Sequence, residues 1–128
     1  MLVYTSEIPK KEDILSLYGA LGWNEELCLS ANELYLAMRN SFYGIYVYDD
    51  GKLIATGRII SDGVTHAHMC GIGVLPEYQG HGIGREIINK LSEFCKEHSL
   101  ALNFICNEEL VPFYKKLGFT PFGTAMKL

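Results

Sequence analysis

Apolar positions along this chain recur either at every second residue or at intervals of three and four, and the switches between the two periods outline its elements. A short run from Leu2 to Thr5 predicts a first strand. Ile14, Leu17, Tyr18 and Leu21 then mark one face of a helix that closes near Gly22. The segment GWNEELCL keeps neither period, holds the only tryptophan, and predicts an irregular connection. Ser30-Ala31-Asn32-Glu33 is a capping-box pattern, in which the serine and glutamate side chains satisfy free backbone N–H groups at a helix start. Leu34, Ala37 and Met38 supply the apolar face of that helix.

The stretch FYGIYVYDDGKLIATGRIISDG is rich in aromatic and branched residues on both sides of Asp50-Gly51 and breaks again at Asp62-Gly63. It predicts a β-hairpin leading into a further turn, with the next strand running from about Thr65 to Val74. From Ile83 onward, Ile87, Ile88, Leu91, Phe94 and Cys95 keep helical spacing to about His98, and LALNFIC (100–106) suits an interior strand. Pro112 is comfortable only in a first turn, so the last helix starts near Leu110 or Val111 and ends at Gly118. A closing strand is expected in GTAMKL. The predicted order is βααβββαβαβ, an α/β chain with a mixed sheet in one domain over residues 1–128.

Composition narrows the setting. With 128 residues, 48% of them hydrophobic, the chain can build one core without disulfide or metal staples. The net charge of -4 has acids and bases interleaved, and Lys and Arg cluster only in pairs, which argues against a nucleic-acid partner. No apolar run approaches a membrane span or a signal-peptide core, so a soluble, cytoplasmic protein is expected. Cys28, Cys70, Cys95 and Cys106 form no CxxC pair, which suits small buried hydrophobes in a reducing compartment and no metal site.

Candidate chemistry begins at QGHGIG, residues 79–84, where glycines alternate at 80, 82 and 84 across the start of the helix expected from Ile83. A helix start carries unpaired N–H groups and the positive end of the helix dipole, and glycines let backbone approach an anion closely. By themselves such glycines more often mark a tight turn that binds nothing. A P-loop would need Gly-Lys-Ser/Thr where Gly84-Arg85-Glu86 stands, and a Rossmann fingerprint would need glycine where Ile87 stands.

Gln79, Gly82 and Gly84, in the stretch that VLPEYQG (74–80) opens, resemble the acyl-CoA loop Q/R-x-x-G-x-G/A of the GNAT family of N-acetyltransferases. A second block, NEELVPFYKKLGF, resembles that family through Asn107, Tyr114 and Gly118-Phe119, with Leu110 in place of the usual small residue. The resemblance covers about residues 45–128. It implies a mostly antiparallel sheet in which a central parallel pair, ending near Val74 and Cys106, splays around acyl-CoA and is flanked by helices.

It also implies acetyl-CoA as co-substrate and an amine as acceptor. The pyrophosphate would lie on the backbone of Gln79, Gly80, His81, Gly82, Ile83, Gly84 and Arg85, with His81 itself a solvent-facing spacer. The pantetheine arm would pair with Ile72, Gly73 and Val74, Gly71 and Gly73 suiting a bulged strand, and Asn107 would bond the arm or cap the next helix. Tyr114 would meet the thiolate leaving group. Full proton transfer from a phenol of pKa ~10 to a thiolate of ~8.5 runs uphill by about 2 kcal/mol, so a hydrogen bond to sulfur is the alternative role.

An alkylamine of pKa ~10.4 costs about 4 to 5 kcal/mol to deprotonate at pH 7, so a base is useful. His66 and His68 alternate on the strand entering the cleft, and His68 is the candidate base, a water chain the alternative. Tyr18, Trp23, Glu25 and Glu26 are candidates for the acceptor side, where acidic and aromatic groups would suit a cation. A non-catalytic acyl-CoA sensor, a protein amine as acceptor, a longer acyl chain and a homodimer all stay open at this stage.

Overall fold

The computed structural model describes residues 1–128. Its order is β1 (Leu2–Thr5), α1 (Lys11–Ala20), α2 (Ala31–Arg39), β2 (Tyr43–Asp49), β3 (Lys52–Ser61), β4 (His66–Val74), α3 (Ile83–Glu97), β5 (Ala101–Asn103) and α4 (Val111–Lys116). The strands form one sheet in chain order, antiparallel except for the parallel pair β4 and β5.

Local chemistry accounts for the boundaries. Ser30 accepts from the Glu33 N–H at 3.2 Å while Glu33 accepts from the Ser30 N–H at 3.0 Å, so the expected capping box opens α2. Asp50 and Gly51 both take positive φ, as a two-residue hairpin with the twist of its strands requires. Beyond β3, the Asp62 carboxylate accepts from the Val64 and Thr65 N–H groups, each at 2.8 Å, and closes the next turn.

β3 is the central strand and reads as a nearly continuous apolar run because helices cover both of its faces. Gly57 faces α3, where a Cβ would collide with Ile87 and Leu91. The opposite face carries α1 and α2. Buried apolar residues from both layers, among them Ile14, Leu34, Ile54, Ile87 and Leu91, join one cluster. No helix is long and apolar enough to cross a membrane, and no group of three or more His, Cys, Asp or Glu residues is arranged to hold a metal ion.

Two expectations are corrected at the C-terminal end. The strand expected over 100–106 hydrogen-bonds as a strand only at Ala101–Asn103. GTAMKL forms no strand, because nothing pairs with it: residues 119–128 are irregular, and Phe122, Met126 and Leu128 stand exposed. The observed order therefore ends on α4.

Candidate functional site

The site follows from the way β4 and β5 part. Their register covers only His66–Ala101, Ala67–Leu102 and His68–Asn103. β4 continues to Val74, while residues 104–106 leave it unpaired, so the edge of β4 beyond His68 opens into a cleft. Thr56 pairs with Gly73 but Arg58 pairs with Cys70, so β4 carries one extra residue here, a bulge with Gly71 at φ +63°.

The Leu75 N–H donates to Ile54 of β3 at 2.9 Å. Strand alternation therefore turns the backbone polar groups of Ile72 and Val74 toward the open edge and those of Gly73 toward β3. Gly73 has a packing reason as well: a Cβ there would meet Trp23 Cζ2 at 2.5 Å and Leu21 Cδ1 at 2.9 Å. Gly73→Ala should thus destabilise the chain by about 1–3 kcal/mol through overpacking, with a changed Trp23 emission. Urea unfolding that coincides with the parent's would contradict this packing account.

At the end of β4 a 3-10 turn at Pro76–Tyr78 leads into the glycine loop. Gln79 Nε2 donates to the Val74 carbonyl at 2.9 Å and holds the loop against the strand. Gly80 and Gly82 take φ of +81° and +82°, and Gly82 is the left-handed N-cap of α3. Gly84 sits in the first helical turn with no positive φ, so the unusual backbone belongs to Gly80 and Gly82 rather than to Gly82 and Gly84. No backbone N–H from Gly80 to Arg85 finds an acceptor within the protein. Six consecutive free donors at a helix start make a seat for an anion. The His81 ring contacts the Tyr78 carbonyl at 3.2 Å and is exposed.

The cleft itself has a volume of about 530 Å³. Gly71, Ile72, Asn107 and Tyr114 line it, as do Tyr18 and Trp23 from the opposite wall. The Tyr114 ring lies 4.5 Å from Phe104 and 5.9 Å from Phe119, which fixes it beside the splay, and its hydroxyl bonds to no protein group. Burial pushes that hydroxyl above the ordinary phenol range, and Cys106 adds to the effect. Asn107 precedes the 3-10 turn Glu108–Leu110 but makes no side-chain cap, so its amide is left for the cleft.

Other sequence candidates fall outside. His68 is half-buried with Nδ1 3.1 Å from Asn103 Oδ1, one step before the strands part, and it is not in the cleft wall. His66, Glu25 and Glu26 are exposed and also off the wall. Trp23 packs edge-on against Tyr18 at 5.1 Å, an anchor of the wall. Sequence reasoning passed over Arg58, Cys70 and Cys106, which line the cleft. Arg58 did leave a trace: a lone cation inside the apolar run LIATGRII.

The unpaired edge of β4 beside a free helix start can take a ligand that joins an anion to an extended arm. The family model described as the acetyltransferase (GNAT) family matches residues 12–119, and the chain belongs to that family. It is 25% identical over 112 residues to an uncharacterised N-acetyltransferase, ycf52, of Pyropia yezoensis, covering 84% of this chain and 63% of that one. The chain spans between 27% and 63% of the length of several curated relatives. Among solved structures, a Staphylococcus aureus protein of unknown function and probable acetyltransferase superposes with a TM-score of 0.81 at 27% identity, each chain covered in full (100% and 100%). A Clostridium acetobutylicum acetyltransferase solved with acetyl-CoA shares the fold, with a TM-score of 0.72 at 19% identity over 100% of this chain and 96% of that one.

Proposed function

We propose that this chain transfers an acetyl group from acetyl-CoA to the primary amine of a small molecule, by direct attack with both substrates bound. The observation that carries the reading is the run of unpaired N–H groups from Gly80 to Arg85 opening onto the same unpaired strand edge that faces Tyr114. Bound acetyl-CoA supplies the activated acyl group as a thioester.

The residues fit that co-substrate. The loop N–H groups and the α3 dipole would neutralise a pyrophosphate, and the open edge of Ile72 and Val74 would pair with an amide-bearing arm. Ile72, in the cleft wall, offers its N–H to the acyl oxygen, where charge grows as the amine adds. Tyr114, kept protonated by burial, donates a hydrogen bond to the departing sulfur. Asn107 presents its amide to the arm.

His68, on the face of β4 that carries Cys70 but not among the residues lining the cleft, would accept the amine proton through water. With Nδ1 held by Asn103, Nε2 is the nitrogen left to act. His68→Ala should lower the rate of transfer with acetyl-CoA affinity kept; an unchanged rate would leave the proton to solvent alone. The cleft wall holds no carboxylate and no histidine, which favours a second reading, an acyl-CoA-binding module without turnover. Free-thiol release from acetyl-CoA across a broad amine panel separates the two. Amine-dependent release supports the enzyme, and acetyl-CoA binding without release by any amine supports the module.

A further inference from the structure

Arg58 is the one formally charged side chain in the wall of the cleft, and it has no acidic partner. It projects from β3 on the face of α1 and α2, opposite Cys70 of β4. A guanidinium stays charged at every physiological pH, so a half-buried one without a counter-ion is costly unless something else supplies the negative charge.

Its geometry shows which part is spoken for. Nη1 donates to Ser41 Oγ at 3.1 Å, and Ser41 in turn donates to the Ala37 carbonyl at 2.9 Å, so the end of α2 orients the group. Nε is sealed from solvent and has no acceptor, whereas Nη2 is not sealed, and the Tyr18 hydroxyl stands beside the guanidinium. Nη2, next to the Tyr18 hydroxyl, is therefore the donor left for an anion, which it would meet through a charge-assisted hydrogen bond.

Gly71 leaves room beside the guanidinium. A Cβ at this bulge would stand 3.3 Å from Arg58 Nε and 3.6 Å from the Tyr18 hydroxyl, so both polar groups border the same small space. Aliphatic and aromatic groups make up most of the remaining wall, which strengthens any ion pair formed within it.

From this arrangement we infer that the acceptor carries an anionic oxygen group, a carboxylate or a phosphate, close to its amine, and that Arg58 with Tyr18 binds it. The inference rests on the acetyltransferase reading and gives its substrate a class. Glu25 and Glu26, candidates for the acceptor side, are exposed and do not line the cleft, so Arg58 is the charged group the acceptor meets there. Arg58 is a binding residue here and takes no part in bond making.

The test uses matched acceptors: amino acids, the amines left when their carboxyl group is removed, and aminoalkyl phosphates, each with acetyl-CoA in a thiol-release assay. The parent should favour the anion-bearing partner by about 10-fold or more in kcat/KM, and the carboxylate and phosphate arms show which oxyanion it takes. Arg58→Gln should erase that preference through acceptor KM with acetyl-CoA affinity kept, while Arg58→Lys restores part of it. Equal rates for charged and decarboxylated partners, or a preference that survives in Arg58→Gln, would overturn the inference.

Emission of Trp23, the only tryptophan, reads binding without turnover. Hydroxy acids and alkyl phosphates lacking an amine should perturb it in the CoA-bound parent and not in Arg58→Gln. If that response appears while no amine releases thiol, the anion site stands and the transfer reading fails. If neither compound class perturbs the parent's emission, the anion site fails whatever the enzyme does.

Discussion

Replacing Gly82 with glutamate should weaken acetyl-CoA binding by at least about 100-fold, a loss of about 2.7 kcal/mol or more. Gly82 is the N-cap of α3 at φ +82°, and nothing lies within 4 Å of where its Cβ would be. The new Cβ thus meets no protein atom, and the carboxylate it carries is tethered at the start of the run of free N–H groups. There its carboxylate would face the pyrophosphate; two unit charges 4 Å apart at an effective dielectric of 20 repel by about 4 kcal/mol. The left-handed conformation adds about 1–2 kcal/mol of backbone strain, which lowers stability without explaining lost binding. Gly82→Asn separates the two effects, since asparagine tolerates this conformation and carries no charge. It should bind acetyl-CoA within about tenfold of the parent by calorimetry. Glutamate and asparagine variants of equal affinity would show that the loop does not hold the anion.

For Tyr114→Phe the expected result is a kcat lower by about 10- to 100-fold with the KM for acetyl-CoA almost unchanged. The ring is retained, so its packing on Phe104 and Phe119 survives and only the hydroxyl is lost. Burial raises the Tyr114 hydroxyl above its ordinary value, so the group is a donor throughout the neutral range. The sign is definite: the protonated form is the active one, and activity should fall only as pH climbs past that raised value. An alkaline limb present in the parent and absent from Tyr114→Phe would agree; a variant with full activity and the same limb would remove Tyr114 from the chemistry.

Much of this molecule was legible because its signals are local. Asp50-Gly51, the capping box at Ser30 and Glu33, and the spacing of Ile87, Ile88 and Leu91 each depend on residues a few positions apart. The glycine loop was legible for the same reason, although which glycines adopt positive φ was not: Gly84 differs from Gly80 and Gly82 only in lying past the helix start. What escaped depends on pairing across distance. An apolar stretch such as residues 100–106 reads as a strand throughout, but it pairs only where β4 runs beside it. GTAMKL has strand-like residues and no neighbour to accept them. Arg58 was visible as a misfit in an apolar strand, yet its meaning came from Ser41, Gly71 and Tyr18, brought to it by the fold.

The same limit applies to the proton acceptor. His68 was chosen because it shares a strand face with the cleft, and strand alternation does place it with Cys70 and Arg58. The face is right while the position along the strand leaves it short of the wall, against Asn103.

The most direct test of the transfer chemistry is a single-turnover experiment with acetyl-labelled CoA held below the enzyme concentration and each amine of a broad panel in turn. Direct attack with both substrates bound predicts that label passes from CoA to the amine at the rate of thiol release, with none trapped on the protein. Label that stays on CoA for every amine tried, while binding is intact, would contradict transferase function, and label found on the protein would contradict direct attack.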